Sequence, residues 1–254
     1  MRVPVHRIIP FSNVEGYGNR TSIFVQGCNA NCLYCHNSET IPMKSDDAKL
    51  FSVEDLVELI KNQMPFIRGI TVSGGEATLY HKFLVELFNE VHKLGLTCYV
   101  DTNGFFDYET LLPLIDVTDK FLFDIKGLGT DFNKLCFSDN LLTINNLAKD
   151  AGLKYGVNSN HLLSLKKLLT LGKVEEVRLV YLKGFFDLNK VVESIYNLLK
   201  DYPEVLFKVI RMHSRGLPKE RLLLLKGSIP SLKDFEEVKR IVQSKGFKKL
   251  TFIE

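Results

Sequence analysis

Cys28, Cys32 and Cys35 stand within eight positions, in the run Cys28-Asn29-Ala30-Asn31-Cys32-Leu33-Tyr34-Cys35-His36-Asn37. Cysteines that only fill a core are scattered by helix or strand periodicity, so the spacing C-x3-C-x-aromatic-C points to a shared chemical task. Three thiolates hold three corners of a metal cluster and leave a fourth corner open, where a second molecule can bind and react. A structural zinc site is the rival reading, but it wants four closed ligands. His36, the nearby fourth, adjoins Cys35 too closely to complete it comfortably. Cys98, inside Leu96-Thr97-Cys98-Tyr99-Val100, reads as a buried core thiol. Cys136 is left over.

Other residues could serve a ligand beside such a cluster. In Ser73-Gly74-Gly75-Glu76 the glycines form a tight turn or admit a close ligand, and the carboxylate can hold an amine. Asp101-Thr102-Asn103-Gly104 reads as a turn, with Asp101 as a loop or cap residue. Asp124 and Lys126, two residues apart, are a pair able to bind a zwitterion or a ribose. Arg178 lies in an otherwise apolar strand and must meet an anion, either an internal carboxylate or a ligand. His213 follows Arg211-Met212 and is a surface histidine or a site residue.

The elements that must position these groups alternate between strand and helix. Strands are expected at 21–26, 69–73, 96–101, 120–125, 176–182, 205–210 and 248–253, with a short extended piece at 153–157. Helices are expected from Ser52, with Asp55 completing a capping box, and at 81–94, 108–115 and 141–151. Others run from an Asn160 cap to Gly172, over 188–200 after Asp187, and over 232–244 after Ser231 with Asp234. This rhythm predicts βαβ crossovers, hence an α/β fold with a parallel sheet that curves partly or wholly into a barrel. Ligand sites of such folds lie at the carboxyl ends of the strands, and six loaded strand ends would fall there together.

With 254 residues and no linker, the chain reads as a single domain, 1–254. A net charge of +3 with dispersed lysines and arginines does not argue for nucleic acid. The run Lys245-Gly246-Phe247-Lys248-Lys249 is a solvated face or a contact for an acidic partner. No secretory signal opens the chain and no apolar run is long enough for a membrane span. Clustered cysteines without a disulfide pattern fit a reducing, cytoplasmic setting.

The cysteine motif, followed one strand later by Gly-Gly-Glu, resembles the radical S-adenosylmethionine (SAM) superfamily. Cys35-His36-Asn37, Ser73-Gly74-Gly75-Glu76-Ala77, Asp101-Thr102-Asn103-Gly104, Asp124-Ile125-Lys126 and the strand from Arg178 to Gly184 resemble the glycyl-radical-enzyme activating enzymes. These include the pyruvate formate-lyase-activating group. Arg7-Ile8-Ile9-Pro10-Phe11-Ser12 is similar to the YjjW-type branch. The motifs keep family order from about Ile8 to the C-terminus.

The resemblance implies a partial (β/α)6, TIM-like barrel as the radical SAM core, with short N- and C-terminal extensions. It implies no ferredoxin-like insert and an extra helical segment near 130–157. Cys28, Cys32 and Cys35 would ligate one [4Fe–4S] cluster. Tyr34, His36, Asn37 and His213 would lie against the adenosine of S-adenosylmethionine, and Gly74, Gly75, Glu76 and Asn103 also fall at the cofactor, Gly75 and Glu76 receiving its amino group. Asp124, Lys126 and Arg178 would take the carboxylate and ribose side. A monovalent cation, sodium or potassium, would sit on Asp101, Thr102, the backbone of Leu122, and Asp124. The implied reaction is reductive cleavage of S-adenosylmethionine to a 5′-deoxyadenosyl radical, which removes a hydrogen atom from a backbone glycine. The implied partners are a glycyl radical enzyme and a flavodoxin or ferredoxin, with the chain itself a monomer; a radical SAM enzyme acting on a small molecule is the alternative. The family's Val-Asp-Gly-Pro-Gly stands here as Val14-Glu15-Gly16-Tyr17-Gly18, and Leu182-Lys183-Gly184 lacks a usual proline.

Overall fold

The computed structural model describes residues 1–129, 135–136 and 161–254. The chain divides into two compact units. The first holds residues 1–29, 39–123 and, of the described residues, 161–175; the second holds 30–38, 124–129, 135–136 and 176–254.

The first unit contains β1 (Arg2–Ser12), β2 (Arg20–Val25), β3 (Lys49–Ser52), β4 (Gly69–Gly74), β5 (Thr97–Thr102) and the start of β6 (Lys120–Ile125). Their order is β3-β1-β2-β4-β5-β6, and β2, β4, β5 and β6 are parallel. The next strand, β7 (Val174–Tyr181), starts beside β6, where the Phe121 N–H donates to the Lys173 carbonyl at 2.7 Å. In the second unit β7 runs parallel to β8 (Leu206–Arg211), and β8 to β9 (Leu250–Ile253). Within each unit the paired strands are largely parallel, as the strand–helix rhythm predicts.

Helices α1 (Val53–Lys61), α2 (His81–Lys93), α3 (Leu112–Val117) and α4 (His161–Thr170) belong to the first unit. Helices α5 (Leu188–Leu199), α6 (Lys219–Leu224) and α7 (Leu232–Gln243) belong to the second. Ser52 with Asp55, and Ser231 with Asp234, form the two expected capping boxes, and Asp187 caps α5. Helix α2 buries Phe83, Leu84, Leu87, Phe88 and Val91 along one face. Each such side chain contributes about 1.5–3 kcal/mol by leaving water.

Four differences from the sequence expectations have local causes. Strand β1 was not expected, because Pro4 and Pro10 argue against a paired interior strand. It is antiparallel to both β2 and β3, and it tolerates Pro4, whose carbonyl accepts the Gln26 N–H at 2.9 Å. Strand β3 and helix α6 are too short to carry a periodic signal. Helix α3 begins later than 108, because the Asp107 carboxylate accepts the Thr110 N–H at 3.0 Å and turns the chain there. The expected helix 141–151, extended piece 153–157 and Asn160 cap lie outside the described residues.

In the loop after β1, Glu15 turns inward to accept hydrogen bonds from the Ser12 and Ser22 hydroxyls. At the basic run, Lys245 pairs with Glu193, and Phe247 packs its ring against Tyr196 and Phe207. Among the described residues no helix is long and apolar enough to cross a membrane.

Candidate active site

The cysteine motif begins where β2 ends, and the first unit fixes that end through its backbone. Gly27 N–H donates to the Thr40 carbonyl at 2.8 Å and Cys28 N–H to the Ile41 carbonyl at 3.0 Å. Gln26, fully buried, sends its amide to the carbonyls of Glu39 (2.9 Å) and Pro42 (2.6 Å), while its own carbonyl accepts the Tyr80 hydroxyl. The glycine turn after β4 docks on the same loop, with Gly75 N–H on the Val25 carbonyl (3.0 Å) and Glu76 N–H on the Gly27 carbonyl (2.9 Å). A Cβ on Gly75 would stand 1.9 Å from the Gly27 oxygen, and one on Gly74 2.3 Å from the Val25 nitrogen. These glycines therefore admit the chain's own backbone, and in doing so they set the turn against the first cysteine.

The Glu76 side chain is 1% exposed and surrounded by neutral donors. Oε1 accepts from the Thr78 N–H (3.1 Å), the Thr78 hydroxyl (2.6 Å) and the Thr102 hydroxyl (2.7 Å); Oε2 accepts from the Asn103 N–H (2.8 Å). Burial pushes its carboxyl above the usual range, and the hydrogen bonds from Thr78, Asn103 and Thr102 oppose it only in part. Asn103 carries the network on to the cysteine. Its amide nitrogen lies 2.8 Å from Asn29 Oδ1 and 3.9 Å from Cys28 Sγ, and its Oδ1 accepts the Phe105 N–H at 2.9 Å. Asp101 accepts the Ser73 hydroxyl at 2.8 Å and sits opposite Leu122 in the β5–β6 register.

The second unit builds a charged cluster around Cys32. Lys126 Nζ is 2.8 Å from Asp124 Oδ2, with both side chains largely buried, and lies 5.6 Å over the Tyr34 ring. Burial works against the Asp124 charge, but Lys126 and Arg178 outweigh it and hold this carboxyl below its usual range. Arg221, 189 positions along the chain, donates to the Cys32 carbonyl and, at 2.7 Å, to Asn31 Oδ1. The hydrogen bond with the Cys136 thiol pulls Cys32 down despite its burial. Cys35 is pushed up to about 11 by burial and by Cys32, against a hydrogen bond from the Asn37 backbone.

Arg178 meets an internal carboxylate: its Nε donates to Glu176, which Lys208 also pairs at 2.6 Å. Glu176 precedes Arg178 by two residues on one strand face, and Lys208 on β8 is the register partner of Arg178. His36 and His213 come together, rings stacked at 4.3 Å, with His36 Nε2 3.0 Å from the His213 carbonyl. Among the described residues His213 Nδ1 is buried without a hydrogen-bond partner. Gln26, Asn29, Glu176, Lys208 and Arg221 were not singled out from the sequence. Only Glu176 had a local signal, its i, i+2 spacing to Arg178. A separate trio, His92, Cys98 and Asp119, has metal-type donors. Its carboxylate already accepts the Cys98 N–H (2.7 Å) and lies 2.9 Å from His92 Nε2, which makes it a satisfied packing contact.

The radical SAM superfamily profile matches residues 22–168, more than half of the chain. The chain belongs to the radical SAM superfamily. It is 48% identical, over 99% of its length and 97% of the relative's, to a Haemophilus influenzae protein that carries the provisional name glycyl-radical enzyme activating enzyme. It is 31% identical to the pyruvate formate-lyase-activating enzyme of Streptococcus mutans, over 81% of this chain and 76% of that one. Spore photoproduct lyase, solved with dinucleoside spore photoproduct, shares the radical SAM fold at a TM-score of 0.57 and 12% identity, over 97% of this chain and 79% of that one.

Membership makes this radical SAM chain an enzyme and implies a [4Fe–4S] cluster and S-adenosylmethionine. The donor set fits a cluster. Cys28, Cys32 and Cys35 are unbridged thiols, and the positive charges of Lys126 and Arg221 favour the Cys32 thiolate.

Proposed function

We propose that the chain is a glycyl-radical-enzyme activating enzyme, which removes a hydrogen atom from the Cα of a backbone glycine in a partner enzyme. The observation that carries this reading is the 48% identity, along nearly the whole chain, to a relative of that description. The whole chain, 1–254, acts as one radical SAM domain. Cys28, Cys32 and Cys35 hold the cluster. When bound, the cluster and S-adenosylmethionine supply the electron and the 5′-deoxyadenosyl group that abstract the hydrogen atom.

The chain's own residues bind and orient. Gly74 lies at the cofactor, Gly75 and Glu76 receive its amino group, and the hydrogen bonds on Glu76 keep that turn from shifting. Asp124, Lys126 and Arg178 take the carboxylate and ribose side, where the Lys126 ammonium supplies a buried positive charge. Tyr34, His36, Asn37 and His213 lie against the adenosine; the stacked histidines support this by offering a flat surface. Asn103 steadies the Cys28 end of the site. Asp101, Thr102, the Leu122 backbone and Asp124 hold a sodium or potassium ion. A flavodoxin or ferredoxin delivers the electron, and the protein works as a cytoplasmic monomer.

The test is anaerobic reconstitution with S-adenosylmethionine, a reductant and a glycyl radical enzyme. The expected result is 5′-deoxyadenosine together with the electron paramagnetic resonance (EPR) signal of a glycyl radical on the partner. Product from a metabolite, with no radical on any partner enzyme, would reassign the chain to small-molecule chemistry.

A further inference from the structure

Cys136 has no place in the function above, yet it is fully buried with its Sγ 3.2 Å from that of Cys32. We propose that Cys136 is a positioning residue whose S–H donates a hydrogen bond to the Cys32 sulfur and makes the cluster easier to reduce. The inference rests on Cys32 being a cluster ligand. Sulfur bound to iron is a thiolate and has no proton to give, so the bond can only run from Cys136 to Cys32. The main chain fixes the contact. Asn31 N–H donates to the Cys136 carbonyl at 2.8 Å and Leu33 N–H to the Leu135 carbonyl at 2.9 Å, bracketing Cys32 on both sides. Cys32 is therefore held against Cys136 by its two neighbours as well as by its own side chain.

Reduction adds negative charge to the cluster, and part of that charge resides on the ligand sulfurs. A donor aimed at one of those sulfurs stabilises the reduced form more than the oxidised form and raises the potential. Cys28 meets a different donor, the Asn103 amide at 3.9 Å.

The experiment is an EPR-monitored redox titration of the reconstituted full-length protein and its Cys136→Ala and Cys136→Ser variants, with iron content measured on each. Cys136→Ala is expected to load iron as the wild type does and to make the reduction equilibrium about tenfold less favourable, a drop of about 59 mV for one electron. Cys136→Ser keeps a donor and should recover most of that drop. A wild-type potential in Cys136→Ala overturns the proposal. An equal shift in both variants also overturns it, because the effect would then come from volume. Loss of iron from both variants in a folded protein assigns Cys136 to building the site and overturns it as well. The underlying ligand assignment has its own control: Cys32→Ala retaining full iron would remove Cys32 from the cluster, whatever the potentials show.

Discussion

The residues around Cys28 and those around Cys32 solve the same problem, holding a thiol in place, with opposite electrostatics. Around Cys28 the network is a relay of amides and hydroxyls, in which the Glu76 carboxyl is raised by burial and bonded to two threonines and the Asn103 N–H. Around Cys32 the network is ionic, and its carboxylate, Asp124, is held below its usual range by Lys126 and Arg178 despite burial. A buried acid surrounded by dipoles resists ionising, while one facing an ammonium resists protonation. The first arrangement fixes geometry at little electrostatic cost. The second keeps its carboxylate ionised against burial.

Substitutions can break this contrast or sharpen it. The largest effect is expected from Cys28→Ala, which should abolish both cluster loading and 5′-deoxyadenosine formation; turnover that survives would remove Cys28 from the chemistry. Lys126→Ala comes next, because it strands a buried charge on Asp124. Urea denaturation should show a loss of about 3–5 kcal/mol, and a Lys126→Ala, Asp124→Asn double variant should recover part of it. Glu76→Gln keeps the shape but turns an acceptor into a donor facing hydroxyl and N–H groups, at a cost of about 1–3 kcal/mol. If Glu76→Gln proves costlier than Lys126→Ala, the neutral relay is the more stressed of the two networks and the comparison reverses.

The smallest effect provides a reference away from both clusters. Asp234 is held down to about 2 by hydrogen bonds from Lys183 and Ser231. A depressed carboxyl stabilises the fold above its unfolded value, about 3.9, and that stability disappears as pH falls through the folded value. The advantage of the wild type over Asp234→Asn should therefore be full at pH 5 and vanish on approaching about pH 2, as read by denaturation at each pH. An advantage that does not change with pH would mean that capping geometry, and not charge, accounts for it.

The two networks also differ in how far they were legible. The neutral one is made of contiguous motifs, Ser73-Gly74-Gly75-Glu76 and Asp101-Thr102-Asn103-Gly104, at the ends of adjacent parallel strands. Short-range spacing announces it, although the glycines turned out to accommodate backbone. The ionic network draws on Arg221, Cys136 and Lys208, which are far from Cys32 in sequence and belong to no motif. Arg178 was legible as a charge needing an anion, and Glu176 supplied one from within its own strand.

By itself the sequence determined the alternation of elements, the helix caps and the thiol spacing, because each depends on residues a few positions apart. It could not reveal β1, where two prolines obscure an alternation of buried Val3 and Val5. Only the tertiary structure decided which donors surround each thiol. Hydrogen bonds and ion pairs act over a few ångströms, and folding alone brings Arg221 or Cys136 that close to Cys32. The sequence places the three cysteines together, and the fold determines the charge each one meets.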